Sequence, residues 1–146
     1  MFNKIVVPLD GSEYAHRALE IAIELAKKYS ASLVIVHVVP AASALITGPE
    51  VTTAPILLNL SNELEESGRR ILEGGAKKAQ EVGVPVTTVL EHGNISDNII
   101  RIAENEKADL IVIGERGLGA VARFFLGSVA NKVSHHAKCP VLIVKL

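Results

Sequence analysis

The 146-residue chain has no tryptophan, one cysteine and only 3% aromatic residues, so its interior must be built from aliphatic side chains. The lone Cys139 excludes an internal disulfide framework and a cysteine-rich zinc cluster, which fits a reducing compartment. It reads as a small buried residue. Charge of one sign is also missing: 15 Lys and Arg against 16 Asp and Glu leave a formal net charge of −1. That supplies neither a basic field for a nucleic-acid backbone nor an acidic tail. No apolar run approaches the roughly 18 residues of a membrane helix. The apolar run in MFNKIVVPLDGS ends at Pro8, too early for an export signal. The expectation is one domain over residues 1–146, cytoplasmic, with neither nucleic acid nor membrane as partner.

What is present is an alternation of two periods. KIVVPL (Lys4 to Leu9) is short and β-branched, bounded by Pro8 and the turn-prone Asp10, Gly11 and Ser12, as a buried strand should be. Then Ala15, Ala18, Leu19, Ala22, Leu25, Ala26 and Tyr29 recur at three-and-four spacing, the apolar stripe of a helix with Ser12 as its N-cap. SLVIVHVV (Ser32 to Val39) is almost continuously apolar, the pattern of a strand covered by helices on both faces. A long helical stripe of Leu57, Leu60, Leu64, Ile71, Leu72, Ala79 and Val82 follows, closed by Gly83 and Pro85.

Further strands are expected at Val84 to Glu91, Ala108 to Gly114 and Cys139 to Leu146. Between them lie a helix from Ser96 to Glu106 behind an Asn94 cap and a helix over SVANKVSHHA. Five strands alternating with four helices predict a doubly wound α/β fold: a five-stranded parallel sheet, order 3-2-1-4-5, with helices on both faces.

Ligands of such sheets bind beyond the carboxyl ends of the strands, where strand order reverses. The two strand ends with unusual chemistry are PLDGS (Pro8 to Ser12) and GERG (Gly114 to Gly117). If those strands are neighbours, both motifs face one crevice. The segment GERGLGAVARFFLGS, Gly114 to Ser128, holds four glycines in fifteen residues. Gly114 and Gly117 would let N–H groups turn outward as an anion nest, and Gly127 with Ser128 would place an uncapped helix start and a hydroxyl beside it. Arg116 and Arg123 would add positive charge for a phosphate. Set against this, Ser128 could be a plain N-cap and the glycines a connector. Neither a Walker A pattern nor GxGxxG after the first strand occurs.

Catalytic chemistry is poorly provided for. Asp10 and Glu115 are the acidic groups near the expected crevice, and no base stands beside the phosphate motif. His135 and His136 are adjacent on a helix and point apart, His37 falls within a buried strand, and His16 and His92 lack partners at metal-ligand spacing. A receiver domain would need an acidic pair after the first strand, and a flavodoxin a Ser/Thr-rich phosphate loop there; DGSEY is neither.

The spacing Gly114, two residues, Gly117, nine residues, Gly127-Ser128 resembles the signature of the ATP-binding branch of the universal stress proteins. KIVVPLDGSEYAHRAL, VIVHVV, ADLIVIGERG, GSVANKV and HAKCPVLIVK resemble the same family, so the likeness spans nearly the whole chain. It implies that Asp10, with the main chain of Pro8 and Leu9, lies against adenosine and that the Val38 backbone contacts adenine. It implies further that Ile113 and Gly114 line the nucleoside, that Gly117, Gly127, Ser128 and Val129 hold phosphates, and that Asn131 stands near the phosphate end. The role of Arg116 is not fixed by it. ATP, ADP or AMP with Mg²⁺ on the phosphates is the implied cofactor.

The functional expectation is a nucleotide-dependent regulatory module of the stress response, non-catalytic or at most a slow ATPase. Its alternative is a dimeric interaction protein that does not use nucleotide; that branch lacks the glycine spacing. The last strand, apolar and at a sheet edge, predicts a homodimer through Val141 to Val144. The stretch Pro40 to Pro55, with three prolines, is read as a lid or a connector.

Overall fold

The computed structural model describes residues 1–41, 54–117 and 127–146; Arg123 and most of the Pro40 to Pro55 stretch lie outside them. Along the chain run β1 (Lys4–Pro8), α1 (Glu13–Tyr29), β2 (Ser32–Val39), α2 (Ala54–Glu81) and β3 (Val86–His92). They are followed by α3 (Ile95–Asn105), β4 (Leu110–Gly114), α4 (Ser128–His136) and β5 (Val141–Val144). All strand pairs are parallel and the order is β3-β2-β1-β4-β5, as the alternation predicts.

Burial explains the near-continuous apolar strands. Ile5 and Val7 of β1 with Leu33 and Ile35 of β2 pack against α1 and α2, while Val6, Val34, Val36, Ile111 and Ile113 pack under α3 and α4. Each fully buried aliphatic side chain contributes about 1.5–3 kcal/mol relative to exposure. The edge strand β3 departs from this pattern, exposing the adjacent Thr87 and Thr88 and burying no residue fully, because the helices leave both faces of the sheet edge partly uncovered.

Two end signals act as their residue types require. Ser12 Oγ accepts the Ala15 N–H at 3.1 Å and Asn94 Oδ1 accepts the Asp97 N–H at 3.0 Å, capping α1 and α3. At the end of α2, the Val84 N–H donates to Ala79 O and the Gly83 N–H to Gln80 O, both at 3.0 Å, with Gly83 at φ +77°. This is a Schellman closure. It corrects the reading of Val82 as part of the inward stripe: Val82 occupies the C-cap and is 45% exposed.

The inward stripe of α2 is also narrower than the leucines suggest. Leu57, Leu60, Leu64 and Ile71 are only half-buried, and the buried positions are Gly68, Leu72, Gly75 and Ala79. Small residues let the helix lie close to the sheet. A Cβ on Gly75 would come within 2.7 Å of Leu9 Cδ1 and 3.3 Å of Ile35 Cδ1, whereas one on Gly74 would meet nothing within 4 Å.

These adjacent glycines should therefore respond oppositely in urea denaturation. Gly74→Ala should stabilise by about 1 kcal/mol through helix propensity, and Gly75→Val should cost about 1–3 kcal/mol by overpacking. Equal responses would contradict the close α2 contact.

Candidate functional site

The strand order reverses between β1 and β4, which pair at Ile5–Leu110 and Val6–Ile111. That brings the Pro8 to Ser12 turn and the Gly114 to Gly117 segment to the same end of the sheet. Asp10 Oδ1 accepts the Ser12 N–H at 2.9 Å, an Asx turn, and Gly11 between them has φ +85°. Asp10 thus does not cap α1 itself. It holds Ser12, the residue that does.

The glycines owe their identity to lack of room. None of Gly114, Gly117 and Gly127 lies in the left-handed region, so the outward-turning nest expected at Gly114 and Gly117 is not formed by positive φ at those two residues. A Cβ on Gly114 would sit 2.7 Å from Tyr14 Cβ and 2.8 Å from the Tyr14 carbonyl carbon: the first turn of α1 rests on the end of β4. A Cβ on Gly117 would strike Asp10 Oδ2, and one on Gly127 would lie 2.9 Å from Glu115 O and 3.2 Å from Arg116 Cα.

Gly127 joins the two halves of the segment. Its N–H donates to Glu115 O at 2.9 Å and its carbonyl accepts the Asn131 N–H at 2.9 Å. The expectation that the Gly127 N–H faces a phosphate is corrected accordingly, since that donor is already used. Gly127 is the N-cap of α4 and offers no side-chain cap, which also overturns Ser128 as a plain N-cap. The first N–H groups of α4, at Ser128 and Val129, follow it, with Ser128 exposed. Unpaired N–H groups and the helix dipole make such a terminus attractive to anions.

Val38 differs in kind. Its side chain is buried in the α3/α4 cluster, so only its main chain can face the crevice. Even-numbered residues of β2 direct their backbone groups toward β1: Ser32 N–H donates to Asn3 O at 3.0 Å, and Val36 O accepts the Leu9 N–H at 2.7 Å. Because β1 ends at Pro8, Val38 points past the end of its neighbour.

Ile113 is buried in the α3/α4 cluster, and Leu9 turns its side chain to the opposite face. Asn131 is exposed on α4, with its carbonyl accepting from Ser134 Oγ at 2.8 Å. Arg116 is half-buried, with a buried Nε that has no hydrogen-bond partner among the described residues. Among the described residues no three His, Cys, Asp or Glu side chains gather as a metal site.

His37, read from the sequence only as a histidine within a buried strand, has a specific partner at this site. Its Nδ1 lies 2.7 Å from Leu9 O, one residue before Asp10. The available signal was a polar side chain inside an otherwise apolar strand. Cys139 is half-buried, and burial followed by the charge of Asp109 pushes its thiol pKa up, so it is a poor nucleophile.

A five-stranded parallel sheet whose order reverses between β1 and β4 places the chain in the broad class of doubly wound α/β proteins. Within that class the chain belongs to the universal stress protein family, whose model matches residues 1–145. A universal stress protein of Bacillus subtilis, YxiE, is 38% identical over 148 residues, covering 99% of this chain and 100% of that protein. Among solved structures, the protein MJ0577 superposes with a TM-score of 0.85 at 28% identity, covering 100% of this chain and 97% of the other. A universal stress protein in complex with cAMP superposes with a TM-score of 0.72 at 28% identity, covering 99% and 97%.

The contact between Gly114 and Tyr14 gives a direct test. Gly114→Ala should lower stability by about 1–3 kcal/mol, since the new methyl meets backbone and must displace α1. A neutral result in thermal unfolding would show that the glycine is not required by packing.

Proposed function

We propose that this chain is an adenine-nucleotide-binding regulatory module of the stress response, with ATP or AMP seated at the β1/β4 crevice. The observation that carries the reading is the convergence on one opening of Asp10, Gly117, the Val38 main chain and the side-chain-uncapped start of α4. The bound cAMP of a structural relative at 28% identity supports it. In this reading the Val38 N–H and C=O offer one donor and one acceptor to the adenine edge. The ribose lies by Asp10 and the backbone of Pro8 and Leu9, with Ile113 and Gly114 beneath.

The phosphates lie over the N–H groups and hydroxyl of Ser128 and the N–H of Val129, with Gly117, Gly127, Arg116 and Asn131 bordering them. Any Mg²⁺ is held chiefly by phosphate oxygens and water. Regulation rather than turnover is the proposed use, since phosphoryl transfer needs a group to position water and concentrated charge at the phosphate.

Ser128→Pro isolates the phosphate contacts. Proline suits the first helical position, and Gly127 before it is already extended at φ −58°, ψ 149°. The variant should fold normally while losing an N–H and a hydroxyl. In the parent, ligand at about 100 times its dissociation constant should add roughly 2.7 kcal/mol, read as a rise in unfolding temperature with ATP and Mg²⁺. The variant should lose most of that rise. No rise in the parent with ATP, ADP or AMP would leave the glycine segment to the fold alone and favour a nucleotide-independent interaction protein.

The second part of the reading is a homodimer through β5. Strand β5 is a sheet edge, and Leu142 is 39% exposed on it. The Ile111 N–H donates to Pro140 O and the Glu115 N–H to Val144 O, so the even-numbered residues face β4 and the backbone groups of Val141 and Ile143 point outward. An open apolar edge of this kind is suited to pairing with a second copy about a two-fold axis. Ile143→Pro removes an outward donor without touching the β4 ladder. Sedimentation should find a dimer in the parent and a monomer in the variant; a parent monomer at micromolar concentration would refute the dimer.

A further inference from the structure

We infer that His37 is a positioning residue: it takes the Leu9 carbonyl out of the β1–β2 ladder and so keeps the Val38 main chain open to the crevice. In a parallel ladder, each residue that donates on one side receives the next bond two residues along. After the Leu9 N–H has donated to Val36 O, the next step would bring the Val38 N–H onto Leu9 O. Among the described residues no backbone bond joins Val38 to Leu9. The carbonyl is met instead by His37 Nδ1 at 2.7 Å.

A carbonyl oxygen only accepts, so Nδ1 is the donor in this contact. Both ends of Leu9 are then tied to β2, its N–H to Val36 and its C=O to the His37 ring. The residue immediately before the Asp10 turn is held although regular pairing has ended.

The ring has room because α2 carries Gly68. A Cβ there would lie 2.5 Å from His37 Cδ2, 3.0 Å from Nε2 and 3.1 Å from Leu90 Cδ1. Gly68 is in the middle of a 28-residue helix, where glycine costs about 1 kcal/mol relative to alanine. Its absence of a side chain accommodates the imidazole. Gly68, His37 and Leu9 thus form one chain of contacts from α2, through β2, to the turn that bears Asp10. The consequence for a ligand rests on the nucleotide reading above; the effect on the ladder does not.

Two variants separate the donor from the ring's bulk. His37→Phe replaces the five-membered imidazole with a somewhat larger aromatic ring against Gly68 and removes the donor. The double variant His37→Asn, Gly68→Ala restores a donor at the same distance from the backbone and refills the space under the helix. Hydrogen exchange of the Val38 amide reads the ladder without any ligand. In His37→Phe the freed Leu9 carbonyl should capture the Val38 N–H and slow its exchange by about tenfold, and the double variant should return to the parent rate.

Affinity for AMP, measured by calorimetry, should fall about tenfold in His37→Phe, the loss of roughly one hydrogen bond, and recover in the double variant. Unchanged Val38 exchange in a folded His37→Phe protein would overturn the inference whatever AMP does. If the parent does not bind AMP, the nucleotide reading for AMP fails, and the exchange data alone decide the role of His37.

Discussion

The parallel pairing of β1 with β4 is the constraint on which the rest of this protein depends. β1 is central, with β2 on one side and β4 on the other, and its Ile5, Val6 and Val7 are fully buried. Their burial leaves the strand no polar face and commits its exposed chemistry to its carboxyl end. The chain leaves β1 for β2 and returns later as β4, so the ends of these two neighbouring strands lie where the strand order reverses. Everything proposed as functional borders that reversal.

The glycines then acquire a common physical cause. At Gly114, Gly117 and Gly127 the neighbours are the first turn of α1, the Asp10 carboxylate and the Glu115–Arg116 backbone. Three pieces of chain far apart in sequence approach within contact distance at the mouth of the sheet, and a methyl group at any of the three would intrude. The same logic holds at Gly68 and Gly75 on α2, which approach His37 and Leu9. Close backbone approach, rather than backbone flexibility, unites these five positions, and it links the α2 face of the sheet to the turn that carries Asp10.

Much of this was legible in the residues. The switch from apolar strand runs to three-and-four spacing marked every element, and the helix starts at Ser12 and Asn94 followed from side chains able to accept from backbone N–H groups. Boundaries moved where local backbone closure rather than apolar periodicity set them: Val82 has the spacing of the inward stripe, yet the Schellman closure at Gly83 makes it a cap. The leucines at the start of α2 promised burial, while the tight contact belongs to glycines that periodicity does not weigh. The Pro-Leu-Asp and Gly-Ser motifs were visible as candidates, but which of their N–H groups face outward was not, as Gly127 illustrates.

The sequence by itself determined the order of elements, the two-sided burial of the central strands and the family, since these follow from local periodicity and from motif spacing along one chain. Only the tertiary structure decided which donors and acceptors are already used. The Gly127 N–H is bound to Glu115, the Leu9 carbonyl to His37, and Ser12 to Asp10. The first two pairings join residues 12 and 28 positions apart, a separation that carries no periodic signal, whereas the third is a local turn. They depend on distances of a few tenths of an ångström, which packing alone fixes.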